Sequence, residues 1–354
     1  MRQKFNHINR RHFLKAMSAC GLGLAMKGKI LASPGSPLVP KGKLYQNTVG
    51  RSRVALIKGN DLREMTLQAL KKIEDQIIPA IGGKKVLIKP NFVTTNNQLA
   101  ATHVDAIRAI LDFLRPHVKQ QITIAESPAR GNAMPGFQNY NYMPLEKEYN
   151  CRLVNLNEQP FEYRFVIGQA NAPTPVRMIS MLLDPDTYII SAAKMKTHDR
   201  CVTTLSLKNI LMAAPISDAR GNDKQKMHYV PRGSLMASPD TVLHYNMFQL
   251  AQQVYPDLGV IDGFEAMEGN GPARGTPVDA RLAMAGTDCL ALDWLATKLM
   301  GYDPAIICYL RSMGQAGMGQ TDIDKIEVLG TPVDQCQYKF KHSQRVAEAY
   351  GLTS

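Results

Sequence analysis

The stretch YIISAAKMKTHDRCVTTLSLKN, residues 188–209, carries more information about the fold than any other part of the sequence. It begins with a short apolar run typical of a buried β-strand, passes through Lys194, Lys196 and His198, and ends in a polar helical segment. Because side chains along an extended strand alternate with a period of two, these three residues are predicted to share one face. The stretch therefore predicts a strand with a basic cluster at its carboxyl end.

Short apolar runs of this kind recur along the chain and alternate with amphipathic helical patterns. They predict an α/β fold with a mainly parallel sheet and helices on both faces. Ligands bind such sheets beyond the carboxyl ends of the strands. We therefore expect one polar crevice there, lined by the polar clusters that follow the apolar runs: KPN at 89–91, ESP at 126–128, KMKTH at 194–198, residues 262–272 and GTD at 286–288.

Two helices have clear signals in the first third of the chain. Apolar spacing predicts a helix over residues 62–78 that is stopped by Pro79. Thr102 is the expected N-cap of a helix over residues 103–114. Both belong to the layers that cover the predicted sheet.

Residues 1–33 are predicted to be a twin-arginine export signal. The motif NRRHFLK at residues 9–15 has the paired arginines of such a signal, and a weakly apolar stretch rich in Gly and Ala follows it. The alternative is a basic amphipathic N-terminal helix. A lipid anchor at Cys20 is not expected, because Met17 fits a lipoprotein motif poorly. The signal predicts the twin-arginine (Tat) translocase as a partner and the periplasm or cell exterior as the location.

The rest of the chain is predicted to contain a linker and one domain. Residues 34–52 are rich in Pro and Gly, which is typical of an extended linker. Residues 53–354 are expected to form a single α/β domain of one or two lobes, with the aperiodic, polar residues 214–240 as a lid or insertion. No run of about 18 apolar residues occurs, so no transmembrane segment is predicted.

The formal charge of +12 comes mostly from the N-terminus. Residues 1–33 carry seven of the 42 Lys and Arg residues and none of the 30 Asp and Glu residues, so a chain beginning after Ser33 carries +5. This charge does not indicate nucleic-acid binding, and it fits a small anionic ligand. The sequence leaves the oligomeric state open.

The basic cluster favours proton-transfer chemistry. Lys196 and His198 are predicted to transfer protons or to clamp a carboxylate, since lysine or histidine with a lowered pKa acts near neutral pH. Lys194 and Lys208 are expected to bind the substrate. Asn209 is predicted to face inward, where it contacts either the ligand or a neighbouring loop. The alternative for the whole cluster is a solvated strand end.

The segment DGFEAMEGNGPARG, residues 262–275, combines carboxylates with a glycine-rich loop. Glu265 is a candidate catalytic base, and the loop 269–275 is expected to close on the substrate. The candidate ligands of a divalent metal are Asp262, Glu268 and His228. Backbone N–H groups that could hold an anion belong to Gly269, Asn270 and Gly271. A plain tight turn is the alternative.

The remaining substrate-binding candidates are Lys89, Asn91 and Ser127. Ser127 could also be a nucleophile, although the sequence provides no recognised base for it. No G-x-S-x-G, H-E-x-x-H or kinase motif is present, so the familiar hydrolase and phosphotransfer templates have no support. The cysteines after residue 33 show no zinc or iron–sulfur spacing, and they do not determine whether a disulfide forms.

Six motifs in one order carry a family resemblance: KPN, ATHVDAIRAIL, AESPARG, KMKTHDRCVTTLSLKN, DGFEAMEGNGPARG and AGTDCLALD. Over residues 54–320 this combination resembles the bacterial and archaeal family called domain of unknown function 362. The resemblance implies an α/β domain and no settled activity. Some relatives carry a ferredoxin-like iron–sulfur segment, whose cysteine motifs this chain lacks. A more distant similarity to the nickel-dependent lactate racemase class would rest on Lys and His residues alone, and no residue roles are taken from it.

Together these features predict an exported enzyme that acts on a small anionic or polyhydroxylated substrate by metal-assisted or general acid–base proton transfer. The cofactor is unknown, with a divalent metal as the candidate. Two alternatives stay open. One is an exported binding protein that holds a small anion without chemistry, and the other is a redox partner that holds a cofactor.

Overall fold

A computed structural model of the protein describes residues 50–168, 172–228 and 239–352. The predicted export signal, nearly all of the predicted linker and residues 229–238 of the predicted lid lie outside these ranges. Their interpretation stays a prediction.

Strands occur along the whole described part of the chain. In chain order these are β1 (Ser52–Lys58), β2 (Lys85–Lys89), β3 (Ile122–Glu126), β4 (Cys151–Asn155), β5 (Phe161–Ile167), β6 (Pro173–Ile179), β7 (Thr187–His198), β8 (Val202–Thr204), β9 (Ser217–Asp218), β10 (Gly221–Asn222), β11 (Leu258–Glu268), β12 (Thr276–Gly286) and β13 (Ile326–Gly330).

Nine of these strands form the main sheet, in the order β13-β1-β12-β11-β7-β2-β3-β4 with β8 paired to the end of β7. The central strand β7 runs parallel to both neighbours, β11 and β2, and the parallel series continues through β3 to β4. Only β12, among the eight strands of the path, opposes its neighbours β1 and β11. The predicted α/β fold with a mainly parallel sheet is confirmed.

Helices cover both faces of this sheet. They are α1 (Leu62–Lys71), α2 (Glu74–Ile81), α3 (Val104–Leu114), α4 (Met134–Asn139), α5 (Leu145–Glu148), α6 (Ser180–Leu183), α7 (Ser206–Leu211), α8 (Asp223–Lys226), α9 (Pro239–Ala251), α10 (Cys289–Leu299), α11 (Cys308–Gln315) and α12 (Gln344–Tyr350). Among the described helices, none has both the length and the apolar character needed to cross a membrane.

The core consists of two apolar clusters, one on each face of the sheet. Along β1, Val54 and Leu56 enter one cluster, while Ala55 and Ile57 enter the other, as the period of two requires. Helices α7, α9, α10 and α11 pack in the first cluster, and α1, α2 and α3 pack in the second. The described cysteines form no disulfide with one another: Cys151, Cys201, Cys289, Cys308 and Cys336.

The predicted helix over residues 62–78 is two helices, α1 and α2, and Pro79 lies inside the second. At the break, the carbonyl of Lys72 accepts a hydrogen bond of 2.9 Å from Arg53. The same guanidinium binds Asp75 at 2.6 Å. A strand residue thus provides a partner for a carbonyl that an unbroken helix would bond internally.

The N-cap of α3 is His103, whose Nδ1 accepts the N–H of Asp105 at 3.3 Å, and not the predicted Thr102. The Thr102 hydroxyl accepts the N–H of Asn91 at 2.9 Å and donates to the carbonyl of Ala192 at 2.7 Å. Thr102 therefore joins the chain after β2 to strand β7.

Strand β7 is twelve residues long and buried throughout. Lys194 pairs with Asp262 of β11, whereas the next pairing joins Lys196 to Met267, because the register shifts between these positions. At this shift β11 contributes four intervening residues and β7 only one. The side chains of Lys194, Lys196 and His198, which were predicted to share one face, make different contacts: with Asp262, with the carbonyl of Ala100 and with the N–H of Arg200, respectively.

A buried carboxylate fixes helix α7, which carries Lys208 and Asn209. Asp293 of α10 accepts the N–H of Ser206 at 2.9 Å through Oδ1 and the N–H of Leu207 at 2.9 Å through Oδ2. The Ser206 hydroxyl donates to Oδ1 as well. First-turn N–H groups have no partner within their own helix, so Asp293 sets the position of α7.

The stability of this anchor is predicted to depend on pH. Burial raises the pKa of Asp293 to about 7, against the opposing hydrogen bonds from Ser206 and Leu207. In the unfolded chain an aspartate titrates near about pH 3.9, so between these values the folded state binds more protons than the unfolded state. The contribution of Asp293 to the free energy of unfolding should therefore fall, by on the order of 3 kcal/mol, as the pH rises through this window.

Urea unfolding of the wild type and of Asp293→Asn, each at about pH 4 and about pH 8, checks this prediction. The free energy of unfolding of the variant is subtracted from that of the wild type at each pH. The difference no longer contains the contribution of groups that titrate equally in both proteins. The wild type should lose stability relative to the variant at the higher pH. A difference that stays constant or grows with pH would contradict the predicted pKa shift.

Candidate functional site

Two cavities open at the carboxyl edge of the main sheet, where one crevice was predicted. The first, which we call the Lys208 cavity, has a volume of about 360 Å³ and is lined by residues from the ends of β2, β3 and β7 and from α7 and α8. The second, which we call the Asp262 cavity, has a volume of about 650 Å³ and is lined by residues from β7, β11, β12 and the starts of α1 and α3.

The two cavities have opposite charge. The Lys208 cavity is lined by five cationic side chains and two carboxylates, namely Lys89, Arg130, Arg200, Lys208, Lys224, Glu126 and Asp199. The Asp262 cavity is lined by five carboxylates and one lysine, namely Asp61, Asp105, Asp262, Glu265, Asp279 and Lys194. Anions are therefore attracted to the first cavity and repelled by the second.

Asn209 is the centre of a buried hydrogen-bond network at the wall of the Lys208 cavity. Its Oδ1 accepts from Lys89 Nζ at 2.8 Å and from Asn91 Nδ2 at 3.0 Å. Its Nδ2 donates to Ser191 Oγ at 3.1 Å and to the Lys89 carbonyl at 3.2 Å. These four bonds use the two donors and both acceptor positions of the amide. Of the two roles predicted for Asn209, the geometry favours internal hydrogen bonding.

The ammonium of Lys89 likewise has all of its hydrogen-bond partners inside the protein. Its ammonium lies 2.8 Å from Glu126 Oε1, in an ion pair whose side chains are 2% and 1% exposed. It also donates to the Pro90 carbonyl at 2.7 Å and to Asn209. Burial lowers the pKa of Lys89, and the charge of Glu126 opposes this shift. Since an ammonium has three donors, Lys89 shapes the site without a free proton for a ligand.

Ser127 has a lysine neighbour that the sequence did not reveal. Lys224 of α8 donates to the Ser127 hydroxyl, and it contacts the carbonyls of Ser127, Met212 and Ala213, each at 3.1 Å. The Ser127 hydroxyl in turn donates to Asn157 Oδ1 at 2.8 Å. The serine proton therefore points to an amide and away from Lys224, which does not fit an activated nucleophile.

Lys208 differs from the other buried lysines of the described chain. It is 6% exposed and lines the cavity that bears its name. Among the described residues, no hydrogen bond or ion pair reaches its ammonium, whereas Lys89, Lys194, Lys196 and Lys224 all have oxygen partners. Burial lowers the pKa of Lys208 from its usual value. Its charge is thus available to a ligand.

Two neutral histidines line the same cavity. Burial, with the charge of Lys208, lowers the pKa of His198 well below its usual range. Its Nδ1 accepts the N–H of Arg200 at 3.0 Å, so the single ring proton belongs on Nε2, and the approach of Asp199 to Nδ1 is no ion pair. The same two causes lower the pKa of His228 to about 4.

Two buried polar atoms beside this cavity have no hydrogen-bond partner among the described residues: Asn91 Oδ1 and Thr204 Oγ1. Because Asn91 Nδ2 donates to Asn209, the amide orientation is fixed and Oδ1 is left as an acceptor. A buried polar atom without a partner costs about 1–3 kcal/mol. Both atoms are therefore available for a hydrogen bond with a molecule that enters the cavity.

The other two residues of the basic cluster lie outside the Lys208 cavity. Lys194 donates to Asp262 at 3.1 Å and lines the Asp262 cavity. Lys196 is fully buried and donates to the carbonyl of Ala100. Burial and the charges of Lys208 and Lys194 lower the pKa of Lys196 well below its usual range. Lys196 thus does not line the cavity that His198, its predicted partner in proton transfer, lines.

The three predicted metal ligands are not brought together, which corrects that prediction. Asp262 lines its own cavity, where it accepts from Lys194 and from the N–H of His103 at 2.9 Å. Glu268 accepts the N–H of Lys341 at 2.9 Å, and His228 lines the Lys208 cavity. In the part of the chain that the structure describes, no group of three or more His, Cys, Asp or Glu residues could hold a metal ion.

Glu265, the predicted base, is exposed at the Asp262 cavity, away from His198. The glycine-rich loop is packed against the chain after β7. The Gly269 N–H donates to the carbonyl of Lys341, and the Gly269 carbonyl accepts from the hydroxyl of Thr197. The Gly271 carbonyl accepts the N–H of Asp199 at 3.0 Å. A Cβ at Gly271 would lie 2.0 Å from the Thr197 carbonyl, so this position requires glycine. Asn270 is exposed.

Lys224 and Thr204 are site residues that the sequence reasoning missed. Lys224 lies in the aperiodic segment, which offers no pattern to single out one lysine. Thr204 belongs to β8, a strand too short for an alternation signal. Glu126 could have been selected, because a carboxylate that directly follows a buried apolar strand requires a partner.

Removing the ammonium of Lys89 is predicted to destabilise the protein strongly. Lys89→Met would leave the buried carboxylate of Glu126 unpaired, at a cost of about 3–5 kcal/mol in the free energy of unfolding. The double variant Lys89→Met/Glu126→Gln should recover part of this loss. Lys85→Met is the matched control, because Lys85 lies in the same strand, is 73% exposed and binds Asp184 at 3.4 Å. It should change stability by less than about 1 kcal/mol.

Urea unfolding of the four proteins measures these changes. Equal decreases in the free energy of unfolding for Lys89→Met and Lys85→Met would show that the buried ion pair between Lys89 and Glu126 does not stabilise the site.

Three known proteins are similar to this chain. A thylakoid-associated protein of Synechocystis sp. is 26% identical over 242 residues, which are 68% of this chain and 70% of that protein. Two solved structures match 74% of the chain: a Thermotoga maritima protein (10% identity, TM-score 0.41) and the lactate racemase apoprotein of Thermoanaerobacterium thermosaccharolyticum (13% identity, TM-score 0.45). The match spans 59% and 61% of those two chains, respectively.

The match to a family is more extensive. The family described as Domain of unknown function (DUF362) matches residues 86–298, which is more than half of the chain and contains β2 to β12. This match confirms the resemblance that the six motifs predicted. The chain belongs to the DUF362 family.

Proposed function

We propose that the protein is an enzyme that binds a small anion in the Lys208 cavity and catalyses a proton transfer on it. The observation that carries this proposal is the buried, unpartnered ammonium of Lys208. Its surroundings supply no oxygen atom of the described chain as a partner, and an isolated buried cation is unfavourable. A bound anion would remove that penalty.

The size and lining of the cavity support a small polar ligand. Its volume of about 360 Å³ lies at the lower end of the range of roughly 300–1,000 Å³ for ligand pockets. Asn91 Oδ1 is an acceptor without a partner among the described residues, so a ligand that carries a hydroxyl group as well as a negative charge would satisfy it. This combination agrees with an anionic or polyhydroxylated substrate.

The two histidines would have different roles in the reaction. His198 holds its proton on Nε2, because Nδ1 accepts from Arg200, so it is a neutral hydrogen-bond donor to an oxygen that gains charge. His228 is the candidate base. An anion bound at Lys208 would offset the charge that lowers the pKa of His228, and it would bring this pKa closer to neutrality.

The twin-arginine motif at residues 9–15 is the basis for proposing that this enzyme is exported. A protein that holds an anion without chemistry is the second candidate, because the unpartnered Lys208 would serve it equally well. In the enzyme His228 would remove a proton from the bound molecule, whereas in the binding protein it would not.

Loss of the Lys208 ammonium is predicted to weaken ligand binding strongly while sparing the fold. The full-length protein is purified from its native host, and bound molecules are extracted and identified by mass spectrometry. Lys208→Met should retain roughly ten- to a hundredfold less of the anion, as expected for a lost charge-assisted hydrogen bond. Lys147→Met is the matched control, since Lys147 is exposed. Its ligand content should equal that of the wild type.

Unfolding experiments on the ligand-free proteins complete this test. Lys208→Met should be as stable as the wild type or more stable, because it removes a buried charge without a partner. A neutral ligand, no ligand, or equal ligand content in Lys208→Met would contradict the proposal. Enzyme and binding protein are separated by incubating the extracted molecule in D₂O, where only the enzyme should convert it or exchange its hydrogen, and where His228→Gln should be inactive.

A further inference from the structure

The side chain of Tyr350, in the last described helix α12, contacts the turn that follows β7. The Tyr350 hydroxyl donates to the carbonyl of Arg200 at 2.7 Å and lies 2.7 Å from Nε2 of His244. His244 belongs to α9 and is 2% exposed. Tyr350 thus joins three parts of the chain that are distant in sequence: α9, α12 and the turn between β7 and β8.

His244 fixes the direction of these hydrogen bonds. Its Nδ1 accepts the N–H of Tyr309 at 3.3 Å, and its ring stacks on that of Tyr309 with centroids 5.5 Å apart. Burial lowers the pKa of His244 to about 4, so the ring is neutral at pH 7 and carries its proton on Nε2. Nε2 therefore donates to the Tyr350 oxygen and also approaches the carbonyl of Arg200, to which the Tyr350 proton is directed.

Arg200 connects this chain of hydrogen bonds to His198. Its carbonyl accepts from Tyr350, and its N–H donates to His198 Nδ1 at 3.0 Å. Val202, the first residue of β8 after this turn, has a φ of 64°, which is uncommon for a β-branched residue. A turn with this conformation depends on contacts from outside to keep its shape.

We propose that Tyr350 is a positioning residue for His198: by holding Arg200, its hydroxyl keeps the N–H of Arg200 on Nδ1 and the ring proton of His198 on Nε2. The inference rests on the proposed function in one respect, since the purpose of the fixed tautomer is hydrogen-bond donation to the bound anion. The positioning itself is measurable without a ligand.

The test compares full-length wild type with Tyr350→Phe, which removes the hydroxyl and keeps the ring. Nitrogen-15 NMR of the histidine rings reports the tautomer of His198, and amide hydrogen exchange reports the Arg200 N–H. In the variant we expect His198 to populate both tautomers, and we expect the Arg200 amide to exchange roughly two- to tenfold faster, the factor for one lost hydrogen bond.

Val346→Ala is the matched control. Val346 is 1% exposed on the same helix, so the substitution loosens α12 and leaves the hydroxyl in place. It should keep the His198 tautomer. Unchanged His198 and Arg200 signals in Tyr350→Phe would overturn the inference, and so would equal changes in both variants. A separate result would contradict the proposed function. In that case the wild type holds His198 in the Nε2 tautomer, but it neither converts its bound molecule nor exchanges a hydrogen of that molecule in D₂O.

Discussion

An ammonium group that leaves water must find oxygen atoms, and this constraint organises the carboxyl edge of the sheet. Five lysines of the described chain are buried there, namely Lys89, Lys194, Lys196, Lys208 and Lys224. Four of them bind a carboxylate, a hydroxyl, an amide or backbone carbonyls. Lys208 is the exception among them. The others shape and position the walls of the cavity that Lys208 lines, and the anion that we propose would bind the Lys208 ammonium.

The arrangement of the edge into two cavities follows from the pairing of β7 with β11. Up to Lys194 and Asp262 the two strands keep a regular parallel register, and the ion pair between these residues neutralises the lysine. Beyond that point the register shifts, and β7 turns into the short hairpin with β8 that carries His198. Positive charge therefore collects on one side and carboxylates on the other. The predicted carboxylates Asp262, Glu265 and Glu268 do not line the cavity that holds His198 and Lys208.

The fold was predictable from the sequence because buried strands are short apolar runs and parallel sheets place their polar residues at one edge. That rule located Lys89, Asn91, Ser127, His198 and Lys208, all of which line the Lys208 cavity. What could not be predicted depends on contacts between distant segments. Arg53 interrupts a regular helical pattern at Lys72, and Asn209 is saturated by residues of β2 and β7. No local pattern indicates that Lys224 folds back onto Ser127.

The most direct measurement of the central claim is the position of a heavy-atom anion. A crystal structure of the full-length protein with selenate would locate selenium by its anomalous scattering. We expect selenate in the Lys208 cavity, with an oxygen at about 2.8 Å from Lys208 Nζ and a second contact to His198 Nε2. Selenate in the Asp262 cavity, or a Lys208 ammonium bound to an oxygen of the protein with no anion beside it, would show that Lys208 is not the anion ligand.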